Sequence, residues 1–230
     1  MVRAFDEKHD AFLIHAWGMT EMSPLGTVNS PTTELMALPK EDRYKRQLKQ
    51  GRPIYGVDLK IIDDDGNELP RDGKAYGRLL VRGPWITSGY YKSEDRSAFV
   101  DGWFDTGDVA TLDSLNTMQI VDRRKDVIKS GGEWISSIDL ENIAVGHQAV
   151  KEACVIGVPH PKWDERPILL VVLKDGASAT KEDIITYVSQ HIAKFWTPDD
   201  VIFVPDLPHT ATGKLHKVPL REKFANHLMV

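Results

Sequence analysis

The first half of the chain carries the alternating hydrophobic pattern of short strands. Val57, Leu59 and Ile61 are separated by polar residues, which predicts a half-buried strand. The Asp-Asp-Gly-Asn sequence at 64–67 predicts a turn, and residues 78–82 form a second predicted strand. Short strands and turns continue to residue 121, so this region is predicted to form a small barrel or sheet. Ahead of it, residues 4–14 are mixed, residues 18–33 are typical of a loop, and residues 40–50 are weakly helical.

The second half has the pattern of a domain that mixes helices and strands. Ser137 can cap a helix that continues through Val145. Thr180 and Asp183 form a capping-box start for a helix that reaches about residue 195. Apolar runs predict strands at 152–158, 168–174 and 201–204. These elements predict a compact α+β domain.

The composition excludes several classes of protein. Hydrophobic residues make up 41% of the 230 residues and charged residues 27%, which are ordinary globular values. No apolar run reaches the roughly 18 to 20 residues needed to span a bilayer, and the first ten residues carry too many charges for a secretory signal. A net charge of -5 argues against a nucleic-acid module. Because Cys154 is the single cysteine, no internal disulfide is expected. We expect a soluble protein of a reducing compartment, most simply the cytoplasm.

A charged segment joins the two halves. Charged residues dominate positions 122–129, and Gly131, Gly132, Glu133 and Trp134 follow. Such a segment suits a surface crossing between two domains, because glycine allows backbone angles that other residues resist. A solvated linker is the simpler interpretation of this composition alone.

Three further short segments offer chemistry. Residues 17–21 hold an aromatic ring, a hydroxyl and a carboxylate, which could stack a base, touch a phosphate and hold Mg²⁺. Asp108 follows a tight turn, where a carboxylate can accept both hydroxyls of a ribose. The loop 207–214 carries Lys214, which could neutralise phosphate charge. Taken singly, each segment is equally compatible with an ordinary loop or turn.

Other apparent motifs carry no site. The acids at 63–65 do not alternate ahead of Gly66 as an EF-hand needs, so a turn is expected there. Residues 129–132 lack the spacing of a Walker loop, and the eight histidines include no helical His-x-x-x-His pair.

Together, and in this order, the four segments resemble the adenylate-forming superfamily of acyl-CoA synthetases, firefly luciferases and peptide-synthetase adenylation domains. Residues 15–21, 132–137 and 159–167 look most like medium- and long-chain fatty acyl-CoA ligases. Such enzymes join a fatty acid to ATP, forming acyl-AMP and pyrophosphate, and then pass the acyl group to coenzyme A. The resemblance covers essentially the whole chain. It implies ATP or AMP, Mg²⁺, coenzyme A and a fatty acid as ligands, and an acid–thiol ligase active in fatty acid metabolism.

The resemblance also implies a fold class and domain bounds. The expected class is α/β and α+β. Residues 1–121 would be the end of the large AMP-binding domain, with a β-barrel-like subdomain at about 52–121. Residues 122–127 would be a hinge, and 128–230 a compact α+β C-terminal lid domain. The hinge position itself would be Lys125.

Each site residue receives a role from the resemblance. Trp17 would stack on the adenine, and Thr20 and Glu21 would contact the α-phosphate and Mg²⁺. Asp108 would bind the ribose with help from Arg123. Gly18 belongs to the same nucleotide-binding set. Lys214 would bridge the fatty carboxylate and the α-phosphate as the new bond forms. Rotation of the lid about the hinge would then bring in the coenzyme A tunnel: Gly131, Gly132, Glu133 and Trp134.

Three departures from the family pattern bear on these roles. Asn116 stands where the family usually has glycine, but asparagine tolerates left-handed angles, so the turn is expected to survive. Asp105 adds a negative charge beside Asp108, which could weaken nucleotide binding. Only sixteen residues precede Trp17, whereas the family's phosphate loop and most of its fatty-acid pocket come earlier. We therefore expect a C-terminal portion with little ligase activity alone, whose partner is the rest of the same enzyme.

Two alternatives stay open at this stage. The chain could be a non-catalytic nucleotide- or CoA-binding module of the same fold, or belong to another acid–thiol ligase of the superfamily. Acyl chain length and oligomeric state are not encoded in the motifs.

Overall fold

The chain divides into two compact units, Met1–Arg124 and Lys125–Val230. A computed structural model describes residues 1–211 and 213–229. The boundary falls inside the charged segment at 122–127 that was predicted to cross between domains.

The first part of the Met1–Arg124 unit combines short helices with a small sheet. Its helices are α1 (Val2–His9), α2 (Thr33–Met36) and α3 (Lys40–Gln47), and its strands are β1 (Ala16–Gly18), β2 (Leu25–Val28) and β3 (Arg52–Pro53). The strands pair antiparallel in the order β1-β2-β3, and a 3-10 turn at Thr20–Met22 connects β1 to β2.

A five-stranded antiparallel sheet forms the rest of this unit. Its strands are β4 (Asp58–Ile62), β5 (Tyr76–Arg82), β6 (Phe99–Val100), β7 (Trp103–Leu112) and β8 (Met118–Arg123). The order is β4-β5-β7-β6, and β8 also pairs with β7. The sheet curls as a half-barrel around a core that includes Ile61, Leu79, Val81, Leu112 and Met118. This curled sheet is the β-rich subdomain that the alternating pattern predicted.

The Lys125–Val230 unit is built on a second five-stranded sheet. Its strands are β9 (Ile128–Ser130), β10 (Glu133–Ile135), β11 (Val150–His160), β12 (Asp164–Leu173) and β13 (Asp200–Phe203), in the order β10-β9-β12-β11 with β13 parallel to β12. Its helices are α4 (Ser137–Val145), α5 (Lys181–Ser189) and α6 (Lys217–Phe224). Residues of α4 and α5 pack in one apolar cluster, and Leu220 and Phe224 of α6 pack in another. The predicted α/β and α+β fold class is confirmed.

Several element boundaries differ from the sequence-based expectation. Helix α1 overlaps the segment at 4–14, and the predicted loop at 18–33 contains strand β2. Ser136, rather than Ser137, caps α4, because its hydroxyl accepts the Asp139 amide at 3.1 Å. Helix α5 begins at the predicted capping box but ends at Ser189, and residues 194–196 form a separate 3-10 turn.

Asn116 adopts the left-handed conformation expected of it. Its φ is 60°, and its amide donates to the Asp113 carbonyl at 2.8 Å, so the turn before β8 survives without glycine. None of the helices in the described residues has both the length and the apolar character that crossing a bilayer requires.

Candidate functional site

The indole of Trp17 lies at a bulge between β1 and β2. The strand register shifts between Trp17 and Gly18, so Trp17 pairs with Thr27 and Gly18 with Leu25. A side chain at Gly26 would place its Cβ 2.7 Å from the indole Cζ3, so glycine there leaves room for the ring. Gly18 is explained by a second close approach, because a Cβ there would lie 1.9 Å from the Pro24 backbone carbonyl oxygen.

A bulge in β7 sets the direction of the Asp108 side chain. Arg78 pairs with Val109 and Leu80 with Asp105, so residues 106–108 face a single residue of β5. The hydroxyl of Thr106 donates to the Leu79 carbonyl at 3.0 Å and accepts the Asp108 amide at 3.1 Å. Gly107 supplies the positive φ of 72°. Bulges often re-aim a side chain, and this one turns Asp108 toward Trp17.

Three of the predicted nucleotide-binding residues therefore meet in the Met1–Arg124 unit. The Trp17 Nε1 donates to Asp108 Oδ2 at 3.2 Å, and Arg123 Nε lies 3.0 Å from Asp108 Oδ1. Arg123 reaches this position because it pairs with Asp108 across β7 and β8. The Asp108 side chain is 3% exposed and that of Arg123 is 47% exposed. The arrangement offers an aromatic ring, an acceptor and an exposed cation within one small area.

Burial is the main influence on the Asp108 carboxyl. It raises the pKa of Asp108 above the ordinary value, whereas the charge of Arg123 and the hydrogen bond from Trp17 act in the opposite direction. Asp105 and Asp122 add smaller contributions that also raise this pKa. A buried carboxylate held by two donors is well suited to accept hydrogen bonds from a ligand's hydroxyl groups.

Asp105 itself is strongly paired. Arg78 donates to its Oδ2 from Nε at 3.1 Å and from Nη2 at 2.6 Å, and Arg124 Nη1 lies at 3.8 Å. The other oxygen, Oδ1, accepts the Gly107 amide at 3.0 Å. The charge of Asp105 is thus directed into this ion pair, which limits its effect on a bound anion. The sequence reasoning had not identified Arg78 as the compensating partner.

Glu21 lies on the 3-10 turn that follows β1. Its Oε1 accepts a hydrogen bond of 2.9 Å from the Tyr90 hydroxyl, and its backbone carbonyl accepts the Thr87 amide at 2.8 Å. Thr20 is exposed beside it. Within the described residues, no group of three or more metal-binding side chains is present. Mg²⁺ is commonly held by one or two carboxylates together with substrate phosphates, so a single carboxylate beside a hydroxyl fits that ion.

In the Lys125–Val230 unit, Gly131 and Gly132 form the two-residue turn between β9 and β10. Their φ angles are 55° and 85°, as a type I′ hairpin turn requires. The Gly131 amide donates to the Trp163 carbonyl at 2.9 Å, and a Cβ at Gly131 would lie 2.8 Å from the Trp163 ring. A Cβ at Gly132 would meet nothing within 4 Å.

Charged and aromatic side chains lie beside this hairpin. Trp134 pairs with Lys129 across the hairpin, and the Lys129 ammonium lies 5.1 Å from the centre of the Trp134 ring. Glu133 is exposed at the start of β10. Lys125, the first residue of the unit, is also exposed, whereas the next residue, Asp126, accepts a 2.6 Å hydrogen bond from Arg221.

Lys214 is exposed on a tight loop before α6. The Thr210 amide donates to the Lys214 carbonyl at 2.7 Å, and the Lys214 amide donates to the Thr210 hydroxyl at 3.2 Å. His209 and Leu215 form an isolated β-bridge at the base of the loop. Thr212, which belongs to the predicted loop sequence, lies outside the described residues. The backbone at Thr210 and Lys214 is therefore held independently of the lysine side chain.

A polar network that was not predicted from the sequence joins α6 to α4. The Lys217 ammonium contacts the Ser137 hydroxyl at 2.6 Å and Glu141 Oε1 at 2.7 Å, with the lysine side chain 9% exposed. Burial raises the pKa of the nearby Cys154 thiol to about 12, so this cysteine is a core residue rather than a nucleophile. Pairing across elements so far apart in sequence could be found only from the fold.

Two family models match this chain. The AMP-binding enzyme family matches residues 1–91, and the AMP-binding enzyme C-terminal domain matches residues 139–214.

Proteins similar to this chain include CoA ligases. The 3-methylmercaptopropionyl-CoA ligase of Ruegeria pomeroyi is 53% identical over 228 residues, which is 99% of this chain and 42% of the relative. The medium-chain-fatty-acid–CoA ligase of Ectopseudomonas oleovorans is 46% identical over 229 residues, covering 100% of this chain and 42% of the relative. The chain thus spans about two fifths of the length of these relatives.

Solved structures of similar fold include nucleotide complexes. ATP-bound MatB of Rhodopseudomonas palustris matches with a TM-score of 0.82 and 30% identity, over 99% of this chain and 43% of that one. The O-succinylbenzoate CoA synthetase of Bacillus subtilis, in complex with its acyl-adenylate intermediate, matches with a TM-score of 0.79 and 29% identity, over 93% of this chain and 42% of that one.

Proposed function

The chain belongs to the adenylate-forming superfamily of AMP-binding enzymes, and from this membership we infer that the protein acts as an acid–CoA ligase. In the first half-reaction a carboxylate oxygen attacks the α-phosphorus of ATP and pyrophosphate leaves, which yields acyl-AMP. In the second, the thiol of coenzyme A attacks the acyl carbon and AMP leaves. The chain would supply part of the site, as the C-terminal portion of a longer enzyme.

The observation that carries this proposal is the convergence of Trp17, Asp108 and Arg123. The ring of Trp17 would stack on adenine, and Asp108 would accept hydrogen bonds from the ribose hydroxyls. Arg123 would hold the Asp108 carboxylate in its ionised, accepting form, since its charge opposes the effect of burial on the Asp108 pKa. A ribonucleotide is the ligand whose chemistry matches all three groups.

Glu21 and Thr20 would hold Mg²⁺ beside the phosphates, with Gly18 shaping the loop that carries them. The bound ion would neutralise phosphate charge. In the same proposal Glu21 acts through its carboxylate, and its backbone carbonyl accepts the Thr87 amide, which fixes the turn that carries it.

We assign the Lys125–Val230 unit the role of a lid. Lys214 would place its ammonium between the acid and the α-phosphate, where charge develops as the new bond forms, and a group placed there accelerates that step. Rotation about Lys125 would then replace Lys214 with the Gly131–Gly132 hairpin, Glu133 and Trp134. Two glycines suit a tunnel wall, because the thiol-bearing arm of coenzyme A must pass close to the backbone.

Two classes of acid are candidates for the substrate. Medium- or long-chain fatty acids are supported by the motifs and by relatives that are 46% and 45% identical. A short thioether acid, 3-methylmercaptopropionate, is supported by the higher identities of 52% and 53% to ligases with that name. A non-catalytic nucleotide-binding module remains the alternative outside ligase chemistry, and an activity assay separates it from both.

A chimeric enzyme tests the proposal. This chain would replace the matching region of the Ruegeria pomeroyi ligase, and acyl-CoA formation would be measured with 3-methylmercaptopropionate and with fatty acids of increasing length. We expect ATP-dependent thioester formation that the Asp108→Ala variant of the chimera abolishes. A soluble chimera that binds AMP and forms no acyl-CoA from any of these acids would instead support the non-catalytic module.

A further inference from the structure

Tyr90 makes a contact that none of the roles above requires. Its hydroxyl donates to Glu21 Oε1 at 2.9 Å, although the two residues are 69 positions apart. The hydrogen bond joins the loop after β5 to the turn after β1. Within the described residues, it is the one side-chain hydrogen bond to the Glu21 carboxylate.

The loop that carries Tyr90 is itself well fixed. The Thr87 amide donates to the Glu21 carbonyl, and the Thr87 hydroxyl donates to the Gly89 carbonyl at 2.8 Å, which closes a local turn. Arg96 donates to the Ser88 carbonyl from the other side of the loop. The two loops are therefore held together through backbone atoms even without the Tyr90 hydroxyl.

The ring of Tyr90 is also held. It lies edge-on to Phe99 with 6.0 Å between ring centres, and Phe99 in turn contacts Phe104 of the sheet core. The phenol can therefore fix one oxygen of Glu21 while the other remains available.

We propose that Tyr90 is a positioning residue that orients the Glu21 carboxylate toward a divalent cation carried by the nucleotide phosphates. This inference rests on the proposed function, because the cation is expected to arrive with ATP. A carboxylate that is held in one rotamer loses less side-chain entropy when it binds a cation, so the hydroxyl strengthens cation binding without touching the cation.

The neighbouring residue offers a matched control. Tyr91 is 89% exposed, and the Lys92 ammonium lies 5.3 Å from the centre of its ring. Tyr90→Phe and Tyr91→Phe each remove one hydroxyl from adjacent positions, and neither removes the aromatic ring. Tyr91→Phe thus measures any general effect of losing one tyrosine hydroxyl.

The test is calorimetric titration of ATP into the 230-residue chain, in EDTA and at increasing Mg²⁺. For Tyr90→Phe we expect the Mg²⁺ concentration that gives half of the Mg²⁺-dependent gain in ATP affinity to rise about fivefold to tenfold, the size expected for the net contribution of one typical hydrogen bond. ATP affinity in EDTA should change by less than about twofold. Tyr91→Phe should match the wild type, and Glu21→Gln should lose the Mg²⁺-dependent gain altogether.

The outcomes separate this inference from the function on which it rests. A wild-type chain that binds ATP with a Mg²⁺-dependent gain that Tyr90→Phe leaves unchanged overturns the role of Tyr90 alone. ATP affinity that Mg²⁺ does not alter in the wild type overturns the role of Glu21 and of Tyr90 with it. A folded wild-type chain that binds no nucleotide overturns the role of Tyr90 and the proposal that Trp17, Asp108 and Arg123 form a nucleotide site. Thermal unfolding of each variant confirms that the fold is retained.

Discussion

Trp17 and Asp108, which are 91 residues apart, are joined by a 3.2 Å hydrogen bond from the indole Nε1 to the carboxylate Oδ2. The bond depends on two bulges, one between β1 and β2 and one in β7, each of which turns its side chain toward the other. It also leaves a carboxylate buried. Buried ionisable groups with shifted pKa values are common at functional sites.

The first prediction concerns the cost of burying Asp108. Because burial raises the pKa of Asp108, the folded state holds its proton to higher pH than the unfolded state does. The free energy of unfolding of the wild type should therefore fall, relative to that of Asp108→Asn, as pH rises from the ordinary carboxyl pKa to the raised one. Above that window the difference should be constant. Asparagine can still accept a hydrogen bond from Trp17.

Urea unfolding of both proteins from about pH 4 to about pH 8 measures this difference. Asp101→Asn removes an exposed carboxylate at a neighbouring turn and serves as the control. If the stability of Asp108→Asn fell relative to the wild type as pH rises, the carboxylate would be stabilising when ionised, and the direction assigned to its pKa would be wrong.

A second prediction separates the two glycines of the β9–β10 turn. Both have positive φ, so alanine is strained at either position. Gly132→Ala meets nothing within 4 Å and should lower the free energy of unfolding by about 1 kcal/mol. Gly131→Ala also presses on the Trp163 ring and should cost about 2–3 kcal/mol.

Chemical unfolding of the two variants checks the ranking. Trp163→Leu provides a further control, because removing the ring should bring the cost of Gly131→Ala close to that of Gly132→Ala. Equal costs in the presence of Trp163 would show that the ring moves aside freely.

The β9–β10 turn and the contact between Trp17 and Asp108 show how much of the structure could be predicted from the sequence. The positive φ of the glycines and of Asn116 follows from local chemistry. The pairing of Asp108 with Arg123 across β7 and β8 did not follow from the alternating pattern, because Arg123 was assigned to the charged segment at 122–127. The contact between Trp17 and Asp108 required the two bulges, whose register shifts leave no periodic signal. Motif resemblance, rather than pattern, linked those residues before the fold was known.

Other partners were beyond sequence reasoning for the same reason. Tyr90 meets Glu21, and Arg78 meets Asp105, through tertiary contacts between loops and strands that propensity does not encode. Helix α5 was predicted too long because its capping box fixes only its start, whereas the helix ends at Ser189.

A third prediction concerns Lys214 in the chimeric enzyme. Lys214→Ala should slow acyl-AMP formation about 100-fold or more, because the ammonium would act on charge that develops in that step. Thioester formation from supplied acyl-AMP should stay within about threefold of the wild-type rate. The loop backbone is held by Thr210, so the substitution should not unfold it.

Rapid-quench measurement of each half-reaction tests this division, with Lys223→Ala, another exposed lysine, as the control. Equal losses in both half-reactions would contradict the proposal that the lid presents a different surface to each step.

The central claim is that Trp17, Asp108 and Arg123 form a site that binds a ribonucleotide. The most direct test compares the affinities for AMP and for its 2′,3′-dideoxy analogue. The measurement is calorimetric titration of both ligands into the wild-type chain and into Asp108→Asn. We predict that the wild type binds AMP about tenfold or more tightly than the analogue and that Asp108→Asn removes most of this preference, since the carboxylate accepts the ribose hydroxyls. Equal affinity of the wild type for the two ligands, or a preference that survives in Asp108→Asn, would contradict the account.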